Sequence, residues 1–169
     1  HEAVAVLDGG LQAWLAHGGA TASGPAQPIT PAHFELGEPL AVLKLTSQVA
    51  QNLGTPSQTI VDARAPARYK GETEPFDPVA GHIPGALNRP FTSNLGADGL
   101  MKPADQLRQE FVSLLSAQNP QHVVHHCGSG ISAIPNILAM EVAGLGRTAL
   151  YAGSWSEWCN TPGLPCAKS

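Results

Sequence analysis

Basic residues are scarce in this chain: nine Lys plus Arg stand against thirteen Asp plus Glu in 169 residues, for a formal net charge of -4. Cations this few give no basic face for a nucleic-acid backbone, so no nucleic-acid partner is expected, while a small anion can still bind at a local site. Long apolar runs are also lacking. Charges, Gly or Pro interrupt every stretch before it reaches the ~18 residues needed to span a bilayer, so no membrane partner is expected either. Cysteine is limited to Cys127, Cys159 and Cys166. An odd number in a chain too large to need staples argues for reduced thiols, with Cys159 and Cys166 of the Pro-rich tail as the pair that could bridge. The chain starts at His1 with neither Met nor a signal-like segment. Its true N-terminus is therefore expected to be absent, and a cytoplasmic setting is the expectation by default.

What the chain has in quantity is Gly, at 18, and Pro, at 15, which predicts tight turns and long ordered connections. Its length suffices for one domain with a continuous core and leaves a remainder too short for a second. The hydrophobic share of 43% belongs to a globular chain rather than a disordered one.

Ala3 to Leu7 reads as a short buried strand and Leu11 to Ala16 as a short helix after the turn Asp8-Gly9-Gly10. From Ala20 to Pro39 the composition shifts to Gly, Pro, Thr, Ser and Ala, which predicts a linker. A periodic segment at Val42 to Leu53 is helical in its second half. Strands are then predicted at Thr59 to Ala63, Ala86 to Asn88, His122 to His126 and Thr148 to Tyr151. Helices are predicted at Pro103 to Ala117, with Leu107, Phe111, Leu114 and Leu115 at helical spacing, and at Ile131 to Ala143. Alternation of this kind implies an α/β layer structure with a parallel sheet.

An internal repeat adds to this. Val6-Leu-Asp-Gly-Gly-Leu-Gln-Ala-Trp14 lines up with Leu150-Tyr-Ala-Gly-Ser-Trp-Ser-Glu-Trp158, each being a strand end, a Gly turn and a Trp-bearing helix. The first copy reads as the end of a preceding domain and the second as the end of the domain present. Trp14, Trp155 and Trp158 are expected to anchor domain edges in the core.

The strongest local signal is His126-Cys-Gly-Ser-Gly-Ile-Ser-Ala133: a Cys leaves a buried strand and enters a Gly-rich turn that opens a helix. Two glycines let the backbone curl so that successive N–H groups point inward, beside the positive end of the helix. A cradle of this sort binds an anion without Lys or Arg and favours the nucleophilic thiolate form of a thiol within it. A lone Cys is ordinarily a core residue, but the Gly-x-Gly turn argues for a nucleophile. The phosphatase loop needs an Arg at the sixth position after its Cys, and Ala133 stands there, which disfavours phosphoryl transfer. His125 and His126 are strand neighbours on opposite faces, so at most one can face the site, and no metal is expected.

Four motifs in order resemble the second domain of tandem rhodanese-family sulfurtransferases: Asp62-Ala-Arg-Ala-Pro-Ala-Arg-Tyr69, Gly81-His-Ile-Pro-Gly-Ala86, Cys127-Gly-Ser-Gly-Ile-Ser-Ala133 and Gly153-Ser-Trp-Ser-Glu-Trp158. Asp8-Gly-Gly-Leu-Gln-Ala-Trp14 is similar to the end of their first domain. The resemblance implies a rhodanese-like three-layer α/β domain with a central, mainly parallel five-stranded sheet flanked by helices. It divides the chain into a remnant of a first domain at 1–19, a linker at 20–39 and a catalytic domain at 40–169, with the body of the N-terminal domain a missing partner.

For function, the resemblance implies a sulfurtransferase with a Cys127 persulfide, no cofactor, a small anionic sulfur donor and a thiol, cyanide or protein acceptor. Loops beginning Cys-Gly-Ser-Gly resemble those of 3-mercaptopyruvate enzymes, whereas thiosulfate enzymes usually carry two cations in the loop. Thiosulfate is the alternative donor, and a non-catalytic persulfide carrier or interaction module the alternative class. Catalytic roles fall to Cys127 and Ser129. Substrate binding falls to Arg68, Gly128, Ser129, Gly130, Ile131, Ser132 and Ala133, with Arg68 gripping the carboxylate. The competing role for Arg68 is a surface pair with Glu72 or Glu74. Arg64 and Arg89 are fallbacks, Arg64 more as a partner of the adjacent strand. Many family members carry a second arginine where this chain has Phe76 and Asp77, which puts two-point carboxylate binding in doubt. His82 is expected to fix a turn rather than to act in catalysis.

Overall fold

The computed structural model describes residues 4–25, 28, 30, 31, 33 and 35–169. Five short strands form one sheet in the order β1-β5-β4-β2-β3, every neighbouring pair parallel. They are β1 (Val42–Lys44), β2 (Thr59–Asp62), β3 (Leu87–Asn88), β4 (Val123–His126) and β5 (Ala149–Tyr151). The helices are α1 (Gly10–Ala16), α2 (Thr46–Gln51), α3 (Pro66–Lys70), α4 (Ala104–Leu115), α5 (Ile134–Val142) and α6 (Ser154–Asn160). Two 3-10 turns, Phe91–Asn94 and Pro120–His122, complete the order.

The three layers follow from strand alternation. Successive side chains of β2 and β4 point to opposite faces, and every residue of both strands is buried, so each face of the sheet centre is covered. Ile60, Val124, Ala149 and Tyr151 join Val49 of α2 and Trp155 and Trp158 of α6 in one cluster. Val61 and Val123 join Leu107, Phe111 and Leu115 of α4 and Ala139 and Met140 of α5 in the other. Trp155 and Trp158 are fully buried, and their indole N–H groups donate to the carbonyls of Val79 (2.9 Å) and Pro165 (2.8 Å).

The N-terminal expectations need correction. Of the strand predicted at Ala3 to Leu7, Ala3 lies outside the described residues, and Val4 to Leu7 carry no strand and are exposed. An alternating apolar pattern becomes a strand only where a neighbour supplies ladder bonds, and no described strand lies beside it. The helix after it does form, as α1, but no residue in it is buried and Trp14 is 45% exposed. Within this chain Trp14 therefore anchors no core; its indole donates to the carbonyl of Ala20. The described residues of 20–39 form neither helix nor strand.

Two further differences bear on the site. The segment from Val42 begins with the edge strand β1, whose pairing to β5 overrides its weak, exposed pattern. Helix α5 begins at Ile134, three residues later than predicted, so Gly128 to Ala133 stay in an irregular loop. Helix α3, which carries Arg68, was not predicted. It starts with Pro66 in its first turn and ends at Gly71 in the left-handed region (φ 82°).

Candidate functional site

All five strands run the same way, so the connections after them gather at one edge of the sheet, where open parallel sheets place their ligands. A cavity of about 470 Å³ lies there. It is lined by Ala63 to Ala65 after β2, Arg68 of α3, Phe76 and Asp77, Phe91 after β3, Cys127 to Ser129 and Ser132 after β4, and Ser156 of α6. Cys127 is only 2% exposed, so what it shows faces this cavity.

The loop after Cys127 is held by its carbonyls. Trp155 and Ser156 donate their backbone N–H groups to the carbonyls of Cys127 and Gly128, each at 3.0 Å. The amide of Cys127 donates to Ser154 Oγ (3.1 Å), and that hydroxyl donates in turn to the carbonyl of Tyr151 (3.0 Å). Ser154 is fully buried and sits at φ 55°, so a non-glycine residue takes the left-handed region to carry this bridge. The amides of Gly128, Ser129, Gly130, Ile131, Ser132 and Ala133 donate to no acceptor among the described residues. Backbone N–H groups are almost always paired when removed from water, and the buried members of this run, Gly130 and Ala133, are therefore unusual in having no partner among the described residues.

The two loop glycines have separate reasons. Gly130 lies at φ 85°, and a Cβ there would stand 2.6 Å from the carbonyl oxygen of Ala152. Gly128 has ordinary φ, but a Cβ on it would meet Arg68 Nη1 at 3.2 Å, so its smallness lets the guanidinium come down onto the loop. Arg68 has a second set of contacts. Its Nη2 donates to Glu74 Oε1 (2.6 Å) and lies 3.6 Å from Asp77 Oδ2, while Nε donates to Glu74 Oε2 (3.3 Å). The pairing with Glu74 and the place beside Cys127 thus coexist, and Nη1 is the edge left facing the loop.

Arg64 also borders the cavity but is committed elsewhere. Its guanidinium donates to both carboxylate oxygens of Asp62, to the carbonyl of Gly81 (2.6 Å) and to Glu74 Oε2 (3.3 Å), and it lies over the Trp155 ring at 4.8 Å. Arg89 pairs with Glu110 (2.8 Å) and covers Phe111, away from the cavity. His82 stacks on Tyr69 at 4.0 Å and its Nδ1 contacts the Tyr69 carbonyl, again outside the cavity. His125 and His126 are fully buried and line no part of the cavity. Burial, helped by His126 and Arg89, pushes His125 down to about 3. Burial also lowers His126, against the opposing pull of Asp62 3.6 Å away. Cys159 and Cys166 are free thiols, and burial raises both. Among the described residues no three His, Cys, Asp or Glu side chains gather as a metal site, and no helix is long and apolar enough to cross a membrane.

Of the residues predicted for the site, Cys127, Gly128, Ser129, Ser132 and Arg68 line one cavity. Gly130 and Ala133 are buried beneath it, and Ile131 points out to solvent at 76% exposure. Sequence reasoning missed Ser154, Ser156 and Phe91. Ser154 and Ser156 stand in the Gly153-Ser-Trp-Ser motif, so the signal was on the page; what no pattern gives is that this motif folds back onto the cysteine loop.

The chain is thus a parallel α/β domain with a thiol at the carboxyl end of a central strand, followed by a loop of amides unpaired among the described residues and approached by one guanidinium edge. Residues 45–161 match the family described as "Rhodanese-like domain", and the chain belongs to that family. It is 46% identical over 167 residues to a Pseudomonas aeruginosa protein named "Probable 3-mercaptopyruvate sulfurtransferase", covering 98% of this chain and 58% of that one. It is 38% identical to the human 3-mercaptopyruvate sulfurtransferase (94% of this chain, 53% of that one) and 37% identical to the mouse thiosulfate sulfurtransferase (94% and 54%). The chain therefore spans somewhat over half the length of these relatives. Among solved structures, an anaerobic ergothioneine biosynthesis enzyme from Chlorobium limicola superposes with a TM-score of 0.79 at 22% identity, over 96% of this chain and 41% of that one. That likeness is one of fold.

Proposed function

We propose that this chain is the cysteine-bearing part of a sulfurtransferase that moves a sulfane sulfur through a Cys127 persulfide, with 3-mercaptopyruvate as the preferred donor and thiosulfate as the alternative. The observation that carries the reading is the run of six unpaired amides, Gly128 to Ala133, around a thiol at the end of a parallel strand. Family membership and relatives named for this activity support it.

The chemistry balances without a cofactor. Cys127 thiolate attacks the sulfur of 3-mercaptopyruvate, a sulfur–sulfur bond forms and the carbon–sulfur bond breaks. Its electron pair leaves as the enolate of pyruvate, which takes up a proton. An acceptor thiolate or cyanide then attacks the outer sulfur, the sulfur–sulfur bond breaks, and Cys127 leaves as thiolate. The loop amides stabilise negative charge on the outer sulfur throughout, and they do so with fixed dipoles that need no reorganisation. Ser129, exposed on the loop and free of intramolecular bonds, is placed to donate to the substrate carbonyl or to the enolate. Arg68 Nη1 supplies the charge for the carboxylate. The protein outside this chain, the N-terminal rhodanese-like domain in this reading, is the remaining partner.

Intact mass tests this directly. The chain and its Cys127→Ala variant are exposed separately to 3-mercaptopyruvate and to thiosulfate, then to cyanide. One added sulfur, about 32 Da, present only with Cys127 and removed by cyanide, is the expected result. An unmodified mass with both donors would replace the enzyme reading by that of an interaction module.

A further inference from the structure

We infer that Phe76 sets the donor specificity of this site, by capping the Arg68 guanidinium with an apolar wall so that the cavity takes a monoanion with a carbon body in preference to a dianion. The inference rests on the proposed function for the identity of the donors, while its geometry stands alone.

Glu74 organises the turn that carries the ring. Its buried carboxylate accepts from Arg68, and Oε1 also accepts the backbone N–H groups of Phe76 (3.2 Å) and Asp77 (3.4 Å). The turn so fixed lays the Phe76 ring over Arg68, with the guanidinium carbon 5.1 Å from the ring centroid. One face of the guanidinium is thereby covered, and its Nε and Nη2 edge is taken by Glu74 and Asp77. Only Nη1, above Gly128, is left for a ligand. The fork that makes arginine a bidentate clamp for doubly charged anions is reduced to a single arm.

Charge points the same way. Arg68 is offset by Glu74 and Asp77, and Arg64 by Asp62 and the shared Glu74, so two guanidiniums meet three carboxylates and no excess positive charge is left. A second negative charge on a ligand would meet the Asp77 carboxylate rather than a cation. A carbon body would instead meet Phe76, which is 80% exposed although it lines the cavity, and Phe91 of the same lining. So large an exposed ring, held in place by two amide bonds on either side of it and by a cation, is a surface kept for contact.

Binding is measured with pyruvate as the monoanionic probe and sulfate as the inert dianion, by titrating the amide resonances of Gly128 to Ala133 in the unmodified chain, Phe76→Arg, Phe76→Ala and Phe76→Tyr. The unmodified chain is expected to bind pyruvate more tightly than sulfate. Phe76→Arg is expected to raise sulfate affinity about tenfold, the value of one exposed charge-assisted bond, with pyruvate changed less than about threefold. Phe76→Ala is expected to weaken pyruvate about threefold by removing the ring, and Phe76→Tyr to restore it. An unchanged sulfate-to-pyruvate ratio in Phe76→Arg, equal binding of the two anions by the unmodified chain, or no shift of the loop amides with either would each overturn the inference. A Cys127 that gains no sulfur while the ratio still moves would sink the transfer reading alone; persulfide formation with an unmoved ratio would sink this one alone.

Discussion

The bridge from Cys127 through Ser154 to Tyr151 can be removed atom by atom. Ser154→Ala deletes the hydroxyl that accepts from the Cys127 amide and donates to the Tyr151 carbonyl, in a position with no solvent to replace it. Leaving a buried N–H unpaired costs about 1–3 kcal/mol, and the lost bond to Tyr151 about 1 more, so a loss of about 2–4 kcal/mol is expected. For a chain of this size that lowers Tm by about 5–15 °C. Ser154→Gly removes the same hydroxyl but relieves the left-handed backbone at φ 55°, worth about 1–2 kcal/mol, against about 0.5–1 kcal/mol of added unfolded-chain entropy. The glycine variant should therefore be the more stable of the two by about 0.5–1 kcal/mol.

Urea denaturation of the three proteins reads the order, and the rate of Cys127 persulfide formation reads the site. Both variants should slow sulfur uptake at temperatures where they remain folded, because the loop hangs from the Cys127 amide at one end. An alanine variant within 0.5 kcal/mol of the unmodified chain would refute the bridge as the support of the loop, and a glycine variant less stable than the alanine one would refute the backbone strain at position 154.

Two further outcomes follow from the buried charges. Arg64→Met leaves the carboxylate of Asp62 buried without its guanidinium and Glu74 with Arg68 alone, and should cost about 3–5 kcal/mol in chemical denaturation, with Arg64→Lys recovering less than half because one ammonium cannot span the same partners; a loss under 1 kcal/mol would overturn this. His125 titrates near 3 in the fold and near 6.5 in the unfolded chain, so the unfolded state binds more protons between those values. Its contribution is whole above about pH 6.5 and is lost as the pH falls, at roughly 1 kcal/mol per unit between pH 6 and 5, and His125→Leu should flatten that slope in urea midpoints. An equally steep slope in the variant would show that other groups govern the acid transition.

What the sequence disclosed and what it withheld divide along one line. Thr59 to Asp62 and Val123 to His126 were legible because each holds a β-branched apolar pair, Ile60-Val61 and Val123-Val124, between turn signals, and α4 because Leu107, Phe111 and Leu115 repeat along one face. Cys127 and its glycines were legible because a backbone that must turn at φ 85° and pass close to Ala152 and Arg68 has few residue choices. Val4 to Leu7 misled because an alternating pattern says that a strand can form, not that a neighbour exists. β1 went unseen for the opposite reason: an exposed edge strand needs only the β5 ladder and leaves no burial pattern behind. Arg68 lies beside the loop after Cys127 and at the same time pairs with Glu74, since one guanidinium has edges enough for both neighbours.

The same economy accounts for the chemistry. A site that held its anion with lysines would pull opposite charges inward and would have to desolvate them on each turnover. In the proposed reading the attraction comes from backbone groups: α6 ties down the carbonyls of Cys127 and Gly128, and the amides of Gly128, Ser129 and Ser132, whose residues line the cavity, donate to no acceptor among the described residues. The two residues that enforce this, Gly130 and Ser154, both occupy the left-handed region, one because a Cβ would strike Ala152 and the other because its hydroxyl must reach the Cys127 amide.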